Sequence, residues 1–277
     1  MQPLQGKDVT LAGIRKSYGA TVALPGIDLA VWRGKFCTLL GVSGSGKTTL
    51  LKIIAGFESP DAGTVHIAGK DMGRVSIADR NIGMVFQNYA LFPHMSIYEN
   101  VAFPLRMRKL AREDIERKVN EALALVSLAP YRQRLPTELS GGQQQRTALA
   151  RALVFNPDIL LMDEPLGALD KNLRQSLQLQ IKQLHQELGL TVVFVTHDQE
   201  EAMNLSDTIV IMDQGNIIDA GRSEHLLSAA GGAICRRFSR RVQFYSAAVW
   251  TGHWRTSRTY PHRRAGVQIP TYPGFVE

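Results

Sequence analysis

Short apolar runs recur along the chain and alternate with longer segments of mixed polarity. Residues 36–40, 159–162, 191–195 and 208–212 are mostly apolar, which is typical of strands buried on both faces of a sheet. Residues 9–14 alternate between apolar and polar, as a half-buried strand does. Because strands that alternate with helical segments usually form parallel sheets, the pattern predicts an α/β fold with a mainly parallel sheet.

Helical periodicity is clearest in the middle of the chain. Residues 98–155 have a mostly helical period, and one apolar face contains Ile115, Val119, Ala122, Leu123 and Val126. We therefore expect a helical insertion at about residues 90–155.

Capping residues mark two further helices. Residues 49–55 are followed by Gly56, and residues 172–188 lie between Asp170 and Gly189. Aspartate is a common residue at the start of a helix and glycine at its end. Both segments are therefore predicted to be helices.

The net charge of +7 is confined to the C-terminal part of the chain. Residues 234–277 hold eight arginines and one acid, whereas the remaining residues hold 24 basic and 24 acidic side chains. A neutral main body offers no electrostatic surface for nucleic acid, so we expect no such partner. Residues 1–228 are predicted to form the main domain. Residues 229–277 form an Arg-rich tail, either disordered or translated in a shifted reading frame, and the abrupt change in composition favours the second.

Membrane and secretion signals are lacking in the sequence pattern. No apolar run reaches the ~18 residues that a membrane span needs, and the N-terminus has no apolar segment of a signal peptide. Cys37 and Cys235 match no metal-ligand spacing. We therefore expect a cytosolic protein with buried or incidental thiols.

A glycine-rich loop follows the apolar run at residues 36–40 and precedes a predicted helix. It consists of Gly41, Val42, Ser43, Gly44, Ser45, Gly46, Lys47 and Thr48. Backbone N–H groups and a helix N-terminus suit phosphate oxygens, while the lysine neutralises their charge and the threonine hydroxyl binds Mg²⁺. The motif therefore predicts a site for ATP and Mg²⁺ in this P-loop and in Thr49 behind it.

Two acids end the apolar run at residues 159–162. Asp163 suits Mg²⁺, and Glu164, which we expect on the other side of the strand, suits the activation of an attacking water. The carboxyl ends of strands are where α/β folds build their sites. We therefore predict Asp163 as a metal ligand and Glu164 as the catalytic base.

Three single residues extend the predicted site. Gln87 follows an apolar strand and would orient water or touch Mg²⁺. His197 ends the predicted strand at residues 191–196 and would reach a γ-phosphate. Tyr18 precedes the P-loop and would stack on adenine. Each of these residue types is more often an ordinary surface or core residue when it occurs alone.

A second glycine-rich motif opens a later helix. Leu139 precedes Ser140, Gly141, Gly142 and Gln143. The serine can cap the helix and the glycines permit close backbone approach, so this motif is a second candidate for gripping phosphate. A nucleotide has one triphosphate chain, so two phosphate-binding motifs require either two ligands or a ligand shared between two copies.

The order and spacing of these motifs over residues 7–227 resemble those of the ATP-binding subunits of ABC transporters. The matching pieces are the P-loop, Gln87, residues 139–143, the acids after residues 159–162, Asp170 and His197. The resemblance implies a P-loop NTPase of the ABC ATPase type, with a mainly parallel sheet, an N-terminal antiparallel β part and a helical insertion. It also adds Asp170 to the nucleotide-binding residues. Val42 stands where the family often has proline, at a position that presents no side chain to phosphate.

The resemblance also implies partners. In such subunits two copies pack head to tail, and the motif at residues 139–143 of one copy completes the ATP site of the other. Residues 88–95 look like those of importers of polyamines, ferric iron, sugars or phosphonates. We therefore expect transmembrane permease subunits, an extracytoplasmic solute-binding protein as an indirect partner, and a place on the cytoplasmic face of the inner membrane. A β-rich regulatory domain usually follows in such importers, and the Arg-rich tail stands in its place.

Two alternatives stay open. A soluble ABC ATPase of DNA repair or translation is disfavoured, because only 51 residues separate Gln87 from Leu139 and leave no room for a long coiled coil. A C-terminally damaged remnant that cannot assemble agrees with the tail, although every expected catalytic residue is present.

Overall fold

A computed structural model describes residues 6–167 and 169–222. The predictions for the Arg-rich tail at residues 229–277 and for Cys235 lie outside the described residues.

Ten strands form two sheets in the described part of the chain. The strands are β1 (Val9–Tyr18), β2 (Thr21–Val31), β3 (Phe36–Gly41), β4 (Ala62–Ile67), β5 (Lys70–Asp71), β6 (Ile82–Val85), β7 (Ile159–Asp163), β8 (Thr191–Thr196), β9 (Thr208–Asp213) and β10 (Asn216–Arg222). The smaller sheet has the order β2-β1-β4-β5 and is antiparallel. The larger has the order β10-β9-β3-β8-β7-β6, and all its pairs are parallel except β10 with β9. The predicted fold class is therefore confirmed.

Six α-helices accompany the sheets in residues 6–167 and 169–222. They are α1 (Lys47–Ala55), α2 (Ile97–Met107), α3 (Arg112–Leu125), α4 (Gly141–Leu153), α5 (Lys171–Leu188) and α6 (Gln199–Leu205). Helix α1 starts two residues earlier than predicted, because Gly46 already turns the chain into the helix at its N-cap. Helix α5 has Asp170 as its N-cap and Gly189 as its C-cap, as the capping residues predicted.

The larger sheet is buried on both faces, which explains its apolar strands. Leu161 and Val193 pack with α1 and the antiparallel sheet in one core cluster. Leu160 and Phe194 point to the other face and pack with α5 and part of α4. Since neighbouring residues of a strand face opposite sides, β7 and β8 each contribute to both clusters.

The helical insertion between β6 and β7 has a core of its own. Helices α2, α3 and α4 pack together, and the five predicted apolar residues of α3 and its C-cap are all buried there. Helix α2 begins with a capping box made by Ser96 and Glu99. Helix α4 also packs on β6, so it joins this insertion to the sheet that carries the site.

Candidate active site

The P-loop links the buried strand β3 to helix α1. Gly44 and Gly46 have φ angles of 80° and 94°, a left-handed region that glycine adopts without strain. A Cβ atom on Gly41 would clash with the backbone carbonyl of Met212, so this glycine is required by close packing. A Cβ atom on Gly44 would meet nothing within 4 Å. The loop is therefore closely packed at Gly41 and open to solvent at Gly44, its tip.

Lys47 crosses the P-loop from the first turn of α1. Its Nζ donates to the carbonyls of Gly41 and Val42, both at 2.8 Å, and to the Ser45 hydroxyl at 3.2 Å. Burial lowers the pKa of Lys47, and the nearby acids Glu164 and Asp163 oppose that shift. A buried ammonium in this position provides the positive charge that a phosphate chain on the loop needs.

Thr48 and Asp163 meet where α1 faces the end of β7. The Thr48 hydroxyl donates to Asp163 Oδ1 at 3.0 Å. Burial raises the pKa of Asp163, and the charge of Glu164 acts in the same direction, whereas the hydrogen bond from Thr48 lowers it. A hydroxyl and a carboxylate side by side form the oxygen-rich pair that Mg²⁺ prefers.

Glu164 lies just beyond β7 and does not continue the strand as the sequence suggested. Its φ of 44° is left-handed, and its backbone N–H donates to the Val195 carbonyl at 3.0 Å. The turn directs the carboxylate to His197, whose Nδ1 is 3.2 Å from Glu164 Oε2. Asp163 thus contacts Thr48, and Glu164 contacts His197 from a left-handed backbone position directly after the strand.

His197 lies next to Glu164 because β7 and β8 are parallel neighbours. Asp163 pairs with Val195 in the sheet register, so the residues that follow each strand meet at one edge. The His197 side chain is 61% exposed and that of Glu164 is 19% exposed. A carboxylate held by an accessible imidazole can orient and activate a water molecule at this edge.

Gln87 and Tyr18 form no part of these contacts. Strand β6 is parallel to β7, with Val85 opposite Met162, so Gln87 follows the strand at the edge that carries the acids. Tyr18 ends β1, is 46% exposed, and lies below the ammonium of Lys16 at 5.5 Å from the ring centroid. Both side chains are accessible to a ligand.

The second glycine-rich motif begins α4. Ser140 Oγ accepts from the Gln143 N–H at 3.4 Å, and Gln143 Oε1 accepts from the Ser140 N–H at 2.9 Å. This capping box matches the prediction for Ser140. Ser140 and Gly141 are exposed, so the helix N-terminus, which attracts anions, is open to a partner.

The two glycine-rich motifs belong to different parts of the fold. Helix α1 packs against strands of both sheets, whereas α4 packs mainly against α2, α3 and β6. The structure therefore brings together the P-loop, Asp163, Glu164 and His197, and leaves residues 139–143 outside this group.

Asp170 lies beside the second motif. Its side chain accepts from the Leu173 N–H at 3.0 Å and caps α5. A Cβ atom on Gly142 would be 2.8 Å from Leu173 Cδ1, and one on Gly141 would be 3.3 Å from Leu169 Cδ2. Both glycines thus allow α4 to pack closely on the segment that carries Asp170.

Two arginines matter to the site and were missed in the sequence. Arg80 donates to the Ile53 and Ile54 carbonyls at 3.0 and 2.8 Å and so caps the C-terminal end of α1. Arg174 donates to the Leu169 carbonyl and to Asp198, next to His197. Neither lies in a motif, and only the folded chain brings each one to its carbonyl or carboxylate.

The described part of the chain contains neither a membrane-spanning helix nor a cluster of metal-binding side chains. No helix within residues 6–167 and 169–222 is long and apolar enough to cross a membrane. Over the same residues, no group of three or more His, Cys, Asp or Glu side chains could hold a metal ion.

Comparison with known sequences finds one family model and close relatives. The model described as ABC transporter matches residues 24–167. The spermidine/putrescine import ATP-binding protein PotA of Photobacterium profundum is 48% identical over 87% of this chain and 65% of its own length. The protein with the same description from Nitratidesulfovibrio vulgaris is 47% identical over 88% of this chain and 67% of its own length. The chain thus spans about two thirds of the length of these relatives.

Solved structures agree with the sequence relatives. A dimeric post-hydrolysis state of the ATP-binding cassette MJ0796 bound to ADP and Pi has 34% identity and a TM-score of 0.70, over 78% of this chain and 98% of that one. CbiO1 from Clostridium perfringens, described as part of an ABC transporter complex, has 28% identity and a TM-score of 0.75, over 84% of this chain and 95% of its own. The chain therefore belongs to the ABC transporter family and carries its ATP-binding domain.

Proposed function

We propose that this chain hydrolyses ATP and thereby drives a membrane import complex. The observation that carries the proposal is the meeting of Glu164 and His197, at 3.2 Å, beside the P-loop and the Thr48–Asp163 pair. A phosphate grip, an oxygen-rich metal site and a base held by an imidazole are the parts that ATP hydrolysis requires.

The P-loop and Lys47 bind the phosphate chain in this proposal. Lys47 is already buried and turned across the loop, so its charge lies where the β- and γ-phosphates are bound. The Thr48 hydroxyl and Asp163 would hold Mg²⁺, with Gln87 as a further ligand. Bound Mg²⁺ would neutralise the charge that develops on the transferred phosphoryl group. The lack of a cluster of metal-binding side chains among the described residues fits an ion held largely by phosphate and water oxygens.

Glu164 acts on the attacking water. Its carboxylate accepts the proton of a water molecule in line with the γ-phosphate, and His197 holds the carboxylate and contacts the γ-phosphate. Tyr18 stacks on the adenine ring in this scheme. The proton passes to Glu164 as the new P–O bond forms and the bond to the ADP oxygen breaks.

The second glycine-rich motif completes the ATP site of another copy. Ser140 and Gly141 are exposed at a helix N-terminus that lies outside the group formed by the P-loop and the acids. The MJ0796 cassette is described as dimeric, which supports a head-to-tail pair of this chain. Asp170 lies beside the motif and would contact the partner's nucleotide site.

The imported solute is proposed to be a polyamine. Eight relatives that are 44–48% identical to this chain are all described as spermidine/putrescine import ATP-binding proteins. Such a chain works with transmembrane permease subunits and, through them, with an extracytoplasmic solute-binding protein. Its place is the cytoplasmic face of the cell membrane.

ATP hydrolysis of the purified chain tests the enzymatic part. We expect Mg²⁺-dependent release of phosphate that falls by at least about 100-fold in Glu164→Gln. Glu113→Gln, which changes an exposed acid at the start of α3, is the matched control and should retain full activity. Folded, ATP-binding protein without Glu164-dependent hydrolysis would refute the proposal.

Uptake by cells tests the transport part. Deleting the gene should abolish uptake of labelled spermidine, and only the unaltered gene, not the Glu164→Gln form, should restore it. Normal polyamine uptake in the deletion strain, together with loss of uptake of iron, a sugar or a phosphonate, would reject the polyamine assignment and keep the ATPase.

A further inference from the structure

Arg174 joins three segments around the His197 edge of the site. From the first turns of α5, its guanidinium donates to the Leu169 carbonyl at 3.1 Å and to Asp198 Oδ2 at 3.2 Å. Its Nε lies 3.7 Å from Glu201 Oε1, and the Glu201 side chain is only 3% exposed. One planar side chain therefore connects the loop before α5 with the start of α6.

The residues on both sides of His197 are held by this arrangement. Asp198 uses one carboxylate oxygen to accept from the N–H groups of Glu200 and Glu201, and the other to accept from Arg174. The Asp198 N–H donates to Thr196 Oγ1 at 3.0 Å, and that hydroxyl donates to Glu201 Oε2 at 2.6 Å. The backbone of His197 is thus enclosed between two residues whose polar groups are fixed.

The other contact of Arg174 reaches the segment next to the second motif. Leu169 directly precedes Asp170, and its side chain lies against Gly141. A shift of this loop would therefore act on the guanidinium, and through Asp198 on His197, the residue directly before it. Arginine suits this role because its donors diverge in a fixed plane, which a lysine ammonium cannot reproduce.

We propose that Arg174 is a positioning residue that couples the Leu169–Asp170 loop to His197 and so fixes the direction in which His197 meets Glu164 and the γ-phosphate. The proposal rests on the proposed ATP hydrolysis at this site. Arg174 itself touches neither the nucleotide nor the reacting water.

Kinetics in two backgrounds test the coupling. Arg174→Met keeps the aliphatic stem and removes the charge, and should lower kcat by roughly 10- to 100-fold with little change in the KM for ATP, as expected when a catalytic group is misplaced. In a His197→Ala chain the same change should have no further effect on kcat, because the group it positions is gone. Arg117→Met removes an exposed arginine of α3 and should leave kcat unchanged. An equal loss in both backgrounds would show a merely structural role and overturn the proposal.

A second measurement does not depend on hydrolysis. In the NMR spectrum of the full chain, Arg174→Met should shift the ring C–H signals of His197 and leave those of His185 in place, although His185 lies on the same helix. If the unaltered chain fails to hydrolyse ATP, the proposed function is wrong and these spectra still decide the role of Arg174. Unmoved His197 signals, or equal shifts of His185, would refute the coupling.

Discussion

Alanine substitutions at three glycines with left-handed backbones distinguish effects on stability from effects on phosphate binding. Gly44, Gly46 and Gly69 have φ angles of 80°, 94° and 72°, so an alanine at any of them stores about 1–2 kcal/mol of backbone strain. A Cβ atom on Gly44 or Gly69 would meet nothing within 4 Å, whereas one on Gly46 would lie 2.8 Å from Leu24 Cδ2 and 3.1 Å from the Ala23 carbonyl. The fully buried Leu24 cannot move aside freely.

The strain and the packing terms predict different free energies of unfolding. Gly44→Ala and Gly69→Ala should each lower the free energy of unfolding by about 1–2 kcal/mol. Gly46→Ala should lower it by about 2–5 kcal/mol, since overpacking adds roughly 1–3 kcal/mol to the strain. Urea unfolding followed by circular dichroism gives these differences directly, provided that the slope with urea stays constant.

ATP affinity then distinguishes the two mild variants. The Gly44 methyl group would occupy the open tip of the P-loop, where phosphate oxygens approach the backbone, so Gly44→Ala should weaken ATP binding by at least about tenfold. Gly69 lies in the turn between β4 and β5, and Gly69→Ala should bind ATP as the unaltered chain does. Titration calorimetry measures both. Equal ATP affinity of the two variants, or equal stability of Gly44→Ala and Gly46→Ala, would refute the reasoning.

Three further predictions concern single side chains. Burial raises the pKa of Asp163 above its usual 3.8, so its contribution to stability falls as pH rises from 3.8 through the raised pKa. Asp163→Asn should therefore increase the free energy of unfolding at pH 7, measured with urea, while slowing hydrolysis. Ser140→Ala should lower the free energy of unfolding by about 1 kcal/mol through loss of the helix cap, whereas Ser140→Asp should retain the cap and the stability. Arg80→Met should lower the free energy of unfolding by about 1–3 kcal/mol, because the partly buried carbonyls of Ile53 and Ile54 lose the Arg80 guanidinium as a donor. Thermal melting measures the loss, and a melting temperature equal to that of Arg117→Met would contradict it.

The parallel sheet and the P-loop follow directly from the sequence pattern, because the buried strands are continuous apolar runs and β3 ends at the glycine-rich loop. Strand β2 was not predicted. Its alternation is broken at Pro25 and Gly26, and Gly26 has a φ of 152°. Such an irregularity hides a strand whose pairing with β1 includes register shifts.

The sequence predicts those parts of the site in which the functional residue lies next to a recognisable strand or helix. Asp163, Glu164 and His197 all follow apolar strands, and the adjacency of β7 and β8 brings them together. The contact between Glu164 and His197 depends on the left-handed turn at Glu164, for which the sequence has no signal, since glutamate rarely adopts that conformation. The roles of Arg80 and Arg174 depend on contacts with backbone carbonyls. Because any arginine can make such contacts, no sequence pattern predicts them.

Mixing two defective chains tests most directly the claim that the two glycine-rich motifs belong to one shared site. Lys47→Gln disables the P-loop, and Ser140→Asp keeps the helix cap while placing a negative charge where the partner's phosphate would bind. Each variant alone should be inactive, because every site in its dimer has one defect.

A mixed dimer contains one intact site, formed by the P-loop of one chain and the Ser140 motif of the other. An equal mixture should therefore recover roughly a quarter of the sites of the unaltered protein, measured as Mg²⁺-dependent phosphate release. Recovered hydrolysis is the result that a shared site predicts. Hydrolysis no greater than the mean of the two separate variants would contradict it.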